Sequence, residues 1–337
     1  MRAIELQTGF GIENLQLAER QAAGAPGPGQ VKLRMHAASL NYRDLYTVKN
    51  GGLSGVKLPL VPCSDGAGEV VAVGAGVTSL AVGDAVTPLF FQSWQGGPPS
   101  LEKLSQPLGS PIDGCLQDEM ILSEAGVVKA PSYMSYEEAA TLPCAALTAW
   151  STLVTEGHTK PGDVVLVQGT GGVSLFALQF AKALGATVIA TSSSDEKLAR
   201  ARDLGADHLI NYRTTPDWAT EARRLTGGRG VDTVVEVGGS GTFEGSLRAV
   251  RIGGLIGVIG ILTGFADTVN VAAIMSQLVR VQGITVGSRD AHLDMVRALE
   301  THHIRPVIDR TFALAETADA FRLMEGATHF GKIVVAH

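Results

Sequence analysis

The sequence predicts an α/β protein in which a doubly wound parallel sheet is joined to a β-rich, partly open barrel. Three observations support this prediction. Six short apolar segments alternate with helical patterns between residues 164 and 286. The first ~125 residues read instead as short strands between Gly/Pro turns. The chain's 337 residues include 41 glycines without a three-residue period, which indicates many tight turns. This length usually holds about two domains.

Composition excludes several classes of protein. A hydrophobic content of 45% is enough for a sizeable core and excludes disorder, and a net charge of −6 without a basic stripe argues against nucleic acid as a partner. The N-terminus lacks the apolar run of a signal peptide, and the longest weakly polar stretch, Ile252 to Leu262, is interrupted by four glycines, so no membrane segment is expected. Three scattered cysteines favour a reducing, cytoplasmic location.

The β-rich part begins with alternating segments such as Val31 to Met35 and Gly68 to Val73, separated by turn clusters such as Gly24 to Gly29. Gln92 to Gly114 is a long Pro/Gly-rich loop without periodicity. Loops of that length inside a compact domain tend to be functional. We therefore expect a lid or a binding element there.

The α/β part begins near Ser135 with helical patterns at residues 136–142 and 145–156. Strands are predicted at 164–167, 187–191, 208–212, 233–237, 255–259 and 283–286, with helices near 173–184, 195–204, 216–226, 242–250 and 272–280. A last helix, 291–302, and a strand, 333–336, are expected to return to the first domain. The predicted domains are residues 1–127 with 288–337, and residues 128–287.

A glycine-rich turn follows the first of the six apolar strands and opens a helix. In this context Gly169 allows the tight turn, Gly171 lets the backbone approach a pyrophosphate, and the helix N-terminus supplies free N–H groups. Ser174 is small enough for close helix–strand packing. We predict a dinucleotide site formed by Gly169, Thr170, Gly171, Gly172 and Val173. The alternative is an ordinary glycine-rich turn.

The end of the next strand indicates which dinucleotide binds. An NAD site normally places an acid there, but this strand ends in Thr191 and Ser192. Ser193-x-x-Glu196 reads as a capping box, which puts Asp195 in the first helical turn. Hydroxyls with Lys197 suit a 2′-phosphate, so NADPH is predicted. Alternatively, Ser192 and Lys197 are a solvated cap and an exposed charge.

Several motifs occur in a characteristic order along the chain. They are Asn41 to Asp44, Pro62 to Val70, Leu142 to Trp150, the glycine turn and Gly283 to Arg289. Together they resemble the medium-chain dehydrogenase/reductase superfamily in its zinc-independent, quinone-oxidoreductase-like branch. The resemblance covers essentially the whole chain. It implies a Rossmann domain and a GroES-like domain, NADPH between them, and a homodimer joined through an edge strand at residues 283–286.

Zinc is not expected. Alcohol dehydrogenases of the superfamily hold a catalytic zinc with a cysteine, a Gly-His-Glu segment and a second cysteine, and the matching positions here are Asn41, Cys63 to Asp65, and Cys144. Asn41 and Ser64 replace two of the ligands, whereas a catalytic zinc needs three. The loop that corresponds to the structural zinc lobe has no cysteine. Cys144 is then expected to be a small packed residue beside the cofactor.

Chemistry without a metal favours hydride transfer to a quinone or an α,β-unsaturated carbonyl, because conjugation spreads the negative charge. Asn41, Tyr42 and Asp44 are the candidate catalytic residues. Asn41 would donate to a substrate oxygen or to the cofactor ribose, and Tyr42, like Tyr46, is a candidate proton donor or substrate wall. The alternatives are packed aromatic side chains and, for Asp44, local capping or pairing with Arg43.

The resemblance implies further cofactor contacts, with Lys332 reaching the pyrophosphate and Tyr212 the adenosine phosphate. In a structural reading, Lys332 is a surface lysine and Tyr212 a strand-end residue. The full set of further candidate cofactor residues is Asn41, Thr148, Ser192, Lys197, Tyr212, Val237, Gly238, Gly260, Ile261, Leu262, Gly287, Ser288, Arg289 and Lys332.

The sequence thus predicts an NADPH-dependent, zinc-free reductase of a quinone or enone. An alcohol dehydrogenase or carbonyl reductase that acts on aldehydes is the second reading. An NADPH-binding protein with little turnover is the third.

Overall fold

The computed structural model describes residues 1–52 and 56–337, which form two compact units. The first comprises Met1–Leu147 with Gly287–His337, and the second comprises Thr148–Val286. The later boundary lies one residue from the predicted 287/288 boundary. The earlier one lies at Leu147 rather than at residue 127.

The first unit begins with an antiparallel pair, β1 (Arg2–Leu6) and β2 (Leu15–Glu19). Its other N-terminal elements are β3 (Gln30–Ser39), α1 (Tyr42–Asn50), β4 (Asp65–Val73), β5 (Ala85–Pro88), β6 (Glu119–Ser123) and β7 (Val127–Lys129). The predicted β-rich domain is confirmed.

The two helices predicted at 136–142 and 145–156 form a more irregular segment. It contains α2 (Tyr136–Ala139) and α3 (Leu147–Trp150), with wider π-helical turns at Leu142–Ala146 and Ser151–Glu156. Ala139 and Ala140 pack in one apolar cluster with Ala37 of β3 and Ala67 of β4. Because α2 is buried against the sheet of the first unit, that unit extends to Leu147.

The second unit is a six-stranded parallel sheet with helices between its strands. Its elements are β8 (Val164–Gln168), α4 (Gly172–Ala183), β9 (Thr187–Ser192), α5 (Asp195–Asp203), β10 (His208–Asn211), α6 (Trp218–Leu225), β11 (Val231–Glu236), α7 (Ser240–Ala249), β12 (Val250–Val258), α8 (Val271–Ser276) and β13 (Arg280–Gly283). The strand order β10-β9-β8-β11-β12-β13 is the 3-2-1-4-5-6 order of the Rossmann fold. This confirms the doubly wound sheet.

The last predicted strand of this sheet was wrong. The edge strand β13 ends at Gly283 instead of covering residues 283–286, and α8 ends at Ser276 instead of residue 280. Val286 has a φ of 56°, a left-handed conformation that is incompatible with an extended strand. The strand therefore ends at Gly283, and the chain leaves the sheet after Ile284, whose N–H still donates to Val258 O at 2.9 Å.

The C-terminal tail belongs to the first unit. It contains α9 (Arg289–His302), β14 (Ile308–Ala313), α10 (Thr317–Glu325) and β15 (Lys332–Ala336). β15 pairs antiparallel with β3, and the sheet runs β14-β15-β3-β4-β5-β7, with β6 also paired to β3. This pairing brings Lys332, the first residue of β15, close to the junction between β3 and α1.

Candidate functional site

The predicted phosphate-binding turn joins β8 to α4. Gly169 has a φ of 70°, which favours glycine, and its N–H donates to Thr191 O at 2.9 Å. Gly171, at the N-cap of α4, has an ordinary φ of −81°, and a Cβ placed there would meet no atom within 4 Å. The fold itself therefore does not require glycine at position 171. Open space in front of a helix N-terminus fits the pyrophosphate of a dinucleotide.

Neighbouring residues complete this turn. Thr170 is buried, Gly172 is the first residue of α4, and Val173 is partly exposed. Ser174 Oγ donates to Gln168 O at 2.6 Å, which explains why a small residue stands there. Thr148 lies within the second unit as a buried residue whose carbonyl accepts a hydrogen bond from Thr152 Oγ1.

Hydroxyl groups surround the end of β9. Ser192 Oγ accepts a hydrogen bond from the Ser194 N–H, and Ser194 Oγ caps α5 by accepting from the Lys197 N–H. The predicted capping box on Ser193 and Glu196 was therefore wrong by one residue. Asp195 does lie in the first helical turn, as predicted.

The Asp195 carboxylate accepts a hydrogen bond from Asn211 Nδ2 at 2.7 Å, so it is held against the neighbouring strand. Tyr212 follows β10, donates its N–H to Ser192 O at 3.1 Å, and is 42% exposed. Ser192 and Tyr212 are thus adjacent. The Tyr212 side chain is thus exposed next to the end of β9, whereas Ser192 is only 3% exposed.

A buried carboxylate that the sequence analysis missed lies at the end of β11. Glu236 is fully buried and accepts hydrogen bonds from the N–H groups of Gly238 (2.8 Å) and Gly239 (3.0 Å). It also accepts from Gln168 Nε2 at 2.7 Å. Thr242 Oγ1 and Ser246 Oγ of α7 are further donors to it. An acid placed between the apolar residues Val235 and Val237 is the sequence signal that could have found it.

The loops that follow β11 and β12 lie against each other. A Cβ at Gly260 would come within 2.0 Å of Val237 O, so only glycine permits this approach. The Thr263 N–H donates to Gly238 O at 2.7 Å. Ile261 is partly exposed and Leu262 is 53% exposed. The predicted residues Val237, Gly238 and Gly260 to Leu262 are therefore close together at one edge of the sheet.

The sequence analysis expected Gly287, Ser288 and Arg289 to follow the last strand of this sheet. In the structure they do not. They belong to the first unit, where Ser288 Oγ caps α9 by accepting from the Ala291 N–H. The Arg289 N–H donates to Trp94 O at 2.9 Å. The N-terminus of α9 is therefore attached to the long loop at residues 92–114.

A second group of polar residues lies in the first unit, where β3 leads into α1. Both Asp44 carboxylate oxygens are engaged: Oδ2 accepts from the Asn41 N–H (2.9 Å), and Oδ1 accepts from the Ser64 N–H and Arg43 (both 3.1 Å). Asp44 is fully buried. The local capping and pairing alternative therefore describes its geometry.

Asp65 connects the remaining residues of this group. Its carboxylate accepts hydrogen bonds from Ser64 Oγ (2.9 Å), from the Cys144 N–H (3.0 Å) and from the Asn41 side chain. Burial raises the pKa of Asp65 to about 6, although the Lys332 ammonium acts in the opposite direction. Burial also raises the pKa of the Cys144 thiol far above its usual range, which fits a packed, unreactive residue.

Lys332 is not a surface lysine. It is 3% exposed, and its ammonium donates to Leu40 O at 2.6 Å and to Asn41 Oδ1 at 2.5 Å. The structure thus brings Lys332, Asn41, Ser64 and Asp65 together as one cluster, hereafter the Asn41 cluster. By contrast, Tyr42 is 44% exposed, so it is not the packed aromatic of the structural alternative.

No group of three or more His, Cys, Asp or Glu side chains that could hold a metal ion is found within residues 1–52 and 56–337. Two of the positions that match the zinc ligands of relatives have other partners. Asn41 accepts a hydrogen bond from the Lys332 ammonium, and Ser64 donates one to the Asp65 carboxylate.

Comparison with known proteins identifies the family. The zinc-binding dehydrogenase family matches residues 172–301, and the alcohol dehydrogenase GroES-like domain matches residues 27–132. A zinc-type alcohol dehydrogenase-like protein of Schizosaccharomyces pombe is 42% identical over 96% of both chains.

Two further proteins show the chemical range of the relatives. A 2-haloacrylate reductase of a Burkholderia species is 31% identical, over 94% of this chain and 93% of its own. The crystal structure of an NAD-dependent alcohol dehydrogenase matches with a TM-score of 0.92 and 37% identity over the full length of both chains.

The fold and the sequence likeness define an oxidoreductase with a Rossmann domain and a GroES-like domain. The chain belongs to the medium-chain dehydrogenase/reductase superfamily, in its zinc-independent, quinone-oxidoreductase-like branch.

In the part of the chain that the structure describes, no helix combines the length and apolarity that a membrane span requires.

Proposed function

We propose that the protein is an NADPH-dependent oxidoreductase that works without zinc and reduces a quinone or an α,β-unsaturated carbonyl compound. The observation that carries this proposal is the Asn41 cluster. At positions where zinc-holding relatives have metal ligands, this chain has an amide, Asn41, and a hydroxyl, Ser64, and a buried ammonium lies beside them. These groups donate hydrogen bonds to an oxygen atom but form a poor ligand set for zinc.

The cofactor would be held by the second unit. Gly169 to Val173 would take the pyrophosphate at the N-terminus of α4. Ser192, Lys197 and Tyr212 would take the 2′-phosphate, since Asp195 is engaged by Asn211. The loops that contain Gly238 and Gly260 would contact the nicotinamide end through backbone groups.

The reaction needs little from the protein besides orientation and hydrogen bonds. When bound, the reduced nicotinamide supplies a hydride to the β-carbon of an enone, whose C=C electron pair shifts to the carbonyl oxygen, and a proton from water completes the saturated product. Asn41 would donate a hydrogen bond to that oxygen as negative charge develops on it. The exposed Tyr42 would line the substrate site or donate the proton. We assign no proton transfer to Asp44, because local donors engage both of its oxygens.

A substrate panel tests this function. The purified protein is assayed with a quinone, a cyclic enone and an aldehyde, each with NADPH and with NADH, before and after treatment with a chelator. We expect turnover of the quinone or enone, a preference for NADPH of at least about 10-fold, and no loss after chelation. One tightly bound zinc per chain, together with activity that a chelator abolishes, would overturn the proposal.

The same panel tests two competitors. The likeness to an NAD-dependent alcohol dehydrogenase favours aldehyde–alcohol interconversion as the second candidate, and faster aldehyde turnover with NADH would support it. Negligible rates with every substrate, despite micromolar NADPH affinity, would support a binding protein with little turnover.

We also propose that the protein is a cytoplasmic homodimer. The exposed edge strand β13 carries Val281, 40% exposed, and Leu278 just before it is 71% exposed. These side chains would be covered by a second copy. Cys63, Cys115 and Cys144 are free thiols, which suits a reducing compartment.

A further inference from the structure

The Lys332 ammonium has an unusual environment for a lysine. It is carried by the first residue of β15 and reaches the junction of β3 and α1, where Leu40 O and Asn41 Oδ1 accept its hydrogen bonds. With 3% exposure, it is removed from water. A buried lysine is rare unless its charge is compensated. The fully buried carboxylate of Asp65 supplies compensating charge, since the two groups interact electrostatically.

This contact determines which way the Asn41 amide faces. A lysine ammonium has only donors, so it can meet the oxygen of an amide but not the nitrogen. With Oδ1 directed at Lys332, Nδ2 is directed away from it, at Ser64 Oγ over 3.4 Å. Removing the ammonium would allow the amide to turn over and present an acceptor where a donor now stands.

A chain of hydrogen bonds therefore runs from the ammonium to a carboxylate. Lys332 donates to Asn41, Asn41 Nδ2 donates to Ser64 Oγ, and Ser64 Oγ donates to Asp65 Oδ1 at 2.9 Å. Bonds in such a chain polarise one another. The Asn41–Ser64 contact is its weakest step, because 3.4 Å is long for an N–H···O hydrogen bond. The Asn41 side chain also donates to the Asp65 carboxylate, so the long contact with Ser64 is the one that a substrate oxygen would replace.

We propose that Lys332 is a positioning residue for Asn41. It holds the amide with Nδ2 toward the substrate oxygen, and its charge strengthens this donor as the oxygen becomes negative. The inference rests on the proposed reductase function and deepens it. It replaces the role expected for Lys332 from the family resemblance, a contact with the cofactor pyrophosphate, by an action on the reacting oxygen through Asn41.

The two roles predict different kinetics for Lys332→Met, which keeps an unbranched side chain of nearly the same length but removes its charge and donors. If Lys332 acts through Asn41, kcat for the enone or quinone falls about 100-fold, the size of effect seen when one donor to a developing oxyanion is lost. The dissociation constant for NADPH then stays within about 2-fold. If Lys332 binds the pyrophosphate, NADPH affinity falls at least about 10-fold and kcat recovers at saturating NADPH.

A double-mutant cycle with Asn41→Ala separates positioning from a merely structural role. If Lys332 acts only through Asn41, the variant with both changes has the same kcat as Asn41→Ala alone. Independent roles would give losses that multiply. Lys129→Met, the same change at an exposed lysine of the first unit, is the matched control and should keep wild-type kcat and NADPH affinity.

A readout without turnover is the ¹⁵N resonance of the Asn41 side-chain amide, assigned through Asn41→Ala. It should shift in Lys332→Met but not in Lys129→Met. If the wild type turns over quinone or enone and Lys332→Met keeps its kcat, this inference alone is overturned, as it is by multiplying losses or an unshifted amide. If the wild type turns over no quinone or enone, the proposed function fails first, and the inference fails with it.

Discussion

The Gln168 side-chain amide donates a hydrogen bond to the Glu236 carboxylate at 2.7 Å and thereby connects the ends of β8 and β11. Gln168 directly precedes the glycine turn, and Glu236 directly precedes Val237 and Gly238. Two of the backbone segments that we assign to the cofactor are therefore held by one buried pair. Gln168 Oε1 also accepts from the Val237 and Gly238 N–H groups at 3.3 Å, which strengthens the connection.

Replacing Glu236 should destabilise the second unit strongly. Glu236→Gln puts an NH₂ group where a carboxylate oxygen now accepts, so donors such as Gly238 N–H or Ser246 Oγ lose their partner inside the protein. Each buried donor left unpaired costs about 1–3 kcal/mol, and we expect a loss of about 3 kcal/mol in the free energy of unfolding. Urea denaturation measures it. Glu244→Gln, an exposed site on α7, should change the value by less than about 0.5 kcal/mol.

Gly171→Val should abolish NADPH binding without unfolding the protein. The extended φ of −81° and the open space at Gly171 accommodate a valine, whose side chain then occupies the volume that we assign to the pyrophosphate. Titration calorimetry should show a dissociation constant at least about 100-fold higher, which is a loss of about 2.7 kcal/mol of binding free energy. The thermal midpoint of unfolding should be unchanged. Gly24→Val, where a Cβ also meets open space, is the control. Unchanged NADPH affinity in Gly171→Val would remove the turn from the cofactor site.

Ser192→Asp should shift cofactor preference from NADPH toward NADH. The new carboxylate can accept the same Ser194 N–H, and it repels a 2′-phosphate while offering an acceptor to a ribose hydroxyl. We expect the ratio of kcat/KM for NADPH over NADH to fall about 30-fold or more, which corresponds to about 2 kcal/mol. Ser100→Asp, which adds the same charge to an exposed loop of the first unit, should leave the ratio unchanged. If Ser192→Asp also leaves it unchanged, the 2′-phosphate lies elsewhere.

The sequence was most informative where the signal is local. Alternating apolar strands and helices predicted the sheet of the second unit, and the turn at Gly169 to Gly172 lies where its pattern placed it. The edge strand was misplaced because it is half exposed: Arg280 to Gly283 reads as polar, whereas the apolar residues after it leave the sheet.

Contacts between distant residues could not be predicted in this way. Glu236 and Gln168 are 68 residues apart, and Lys332 and Asn41 are 291 apart. No periodicity connects such pairs. The sequence therefore identified Lys332 and Asn41 separately, but not the hydrogen bond between them.

His292 should make the protein less stable as the pH falls. It is fully buried in α9, and burial, with a smaller contribution from Arg289, lowers its pKa from 6.5 to about 4. Below pH 6.5 the unfolded chain takes up a proton that the folded chain refuses, so falling pH favours unfolding. The free energy of unfolding falls by about 3 kcal/mol between pH 6.5 and 4, and about 2 kcal/mol of this loss has occurred by pH 5.

His292→Leu should remove this dependence. Urea denaturation at pH 7 and at pH 5 measures the free energy of unfolding of the wild type and of the variant. On acidification, the free energy of unfolding of the variant should rise by about 2 kcal/mol relative to that of the wild type. His302→Leu, at an exposed position of the same helix, should follow the wild type at both values of pH. Parallel behaviour of His292→Leu and the wild type would mean that His292 is protonated normally in the folded protein.

Val281→Lys should convert the proposed homodimer into a monomer. Val281 lies in the middle of β13, whose outer edge is unpaired among the residues that the structure describes, and it is 40% exposed. A two-fold axis that pairs β13 with its own copy would bring two introduced ammonium groups close together, and charged side chains are a common means of blocking edge pairing. Sedimentation velocity at micromolar concentration should give a dimer for the wild type and a dissociation constant raised about 10-fold or more for the variant. Val82→Lys, at an exposed position of the first unit, should remain dimeric. A monomeric wild type, or a Val281→Lys variant that still dimerises as tightly as Val82→Lys, would place the association surface away from β13 or eliminate it.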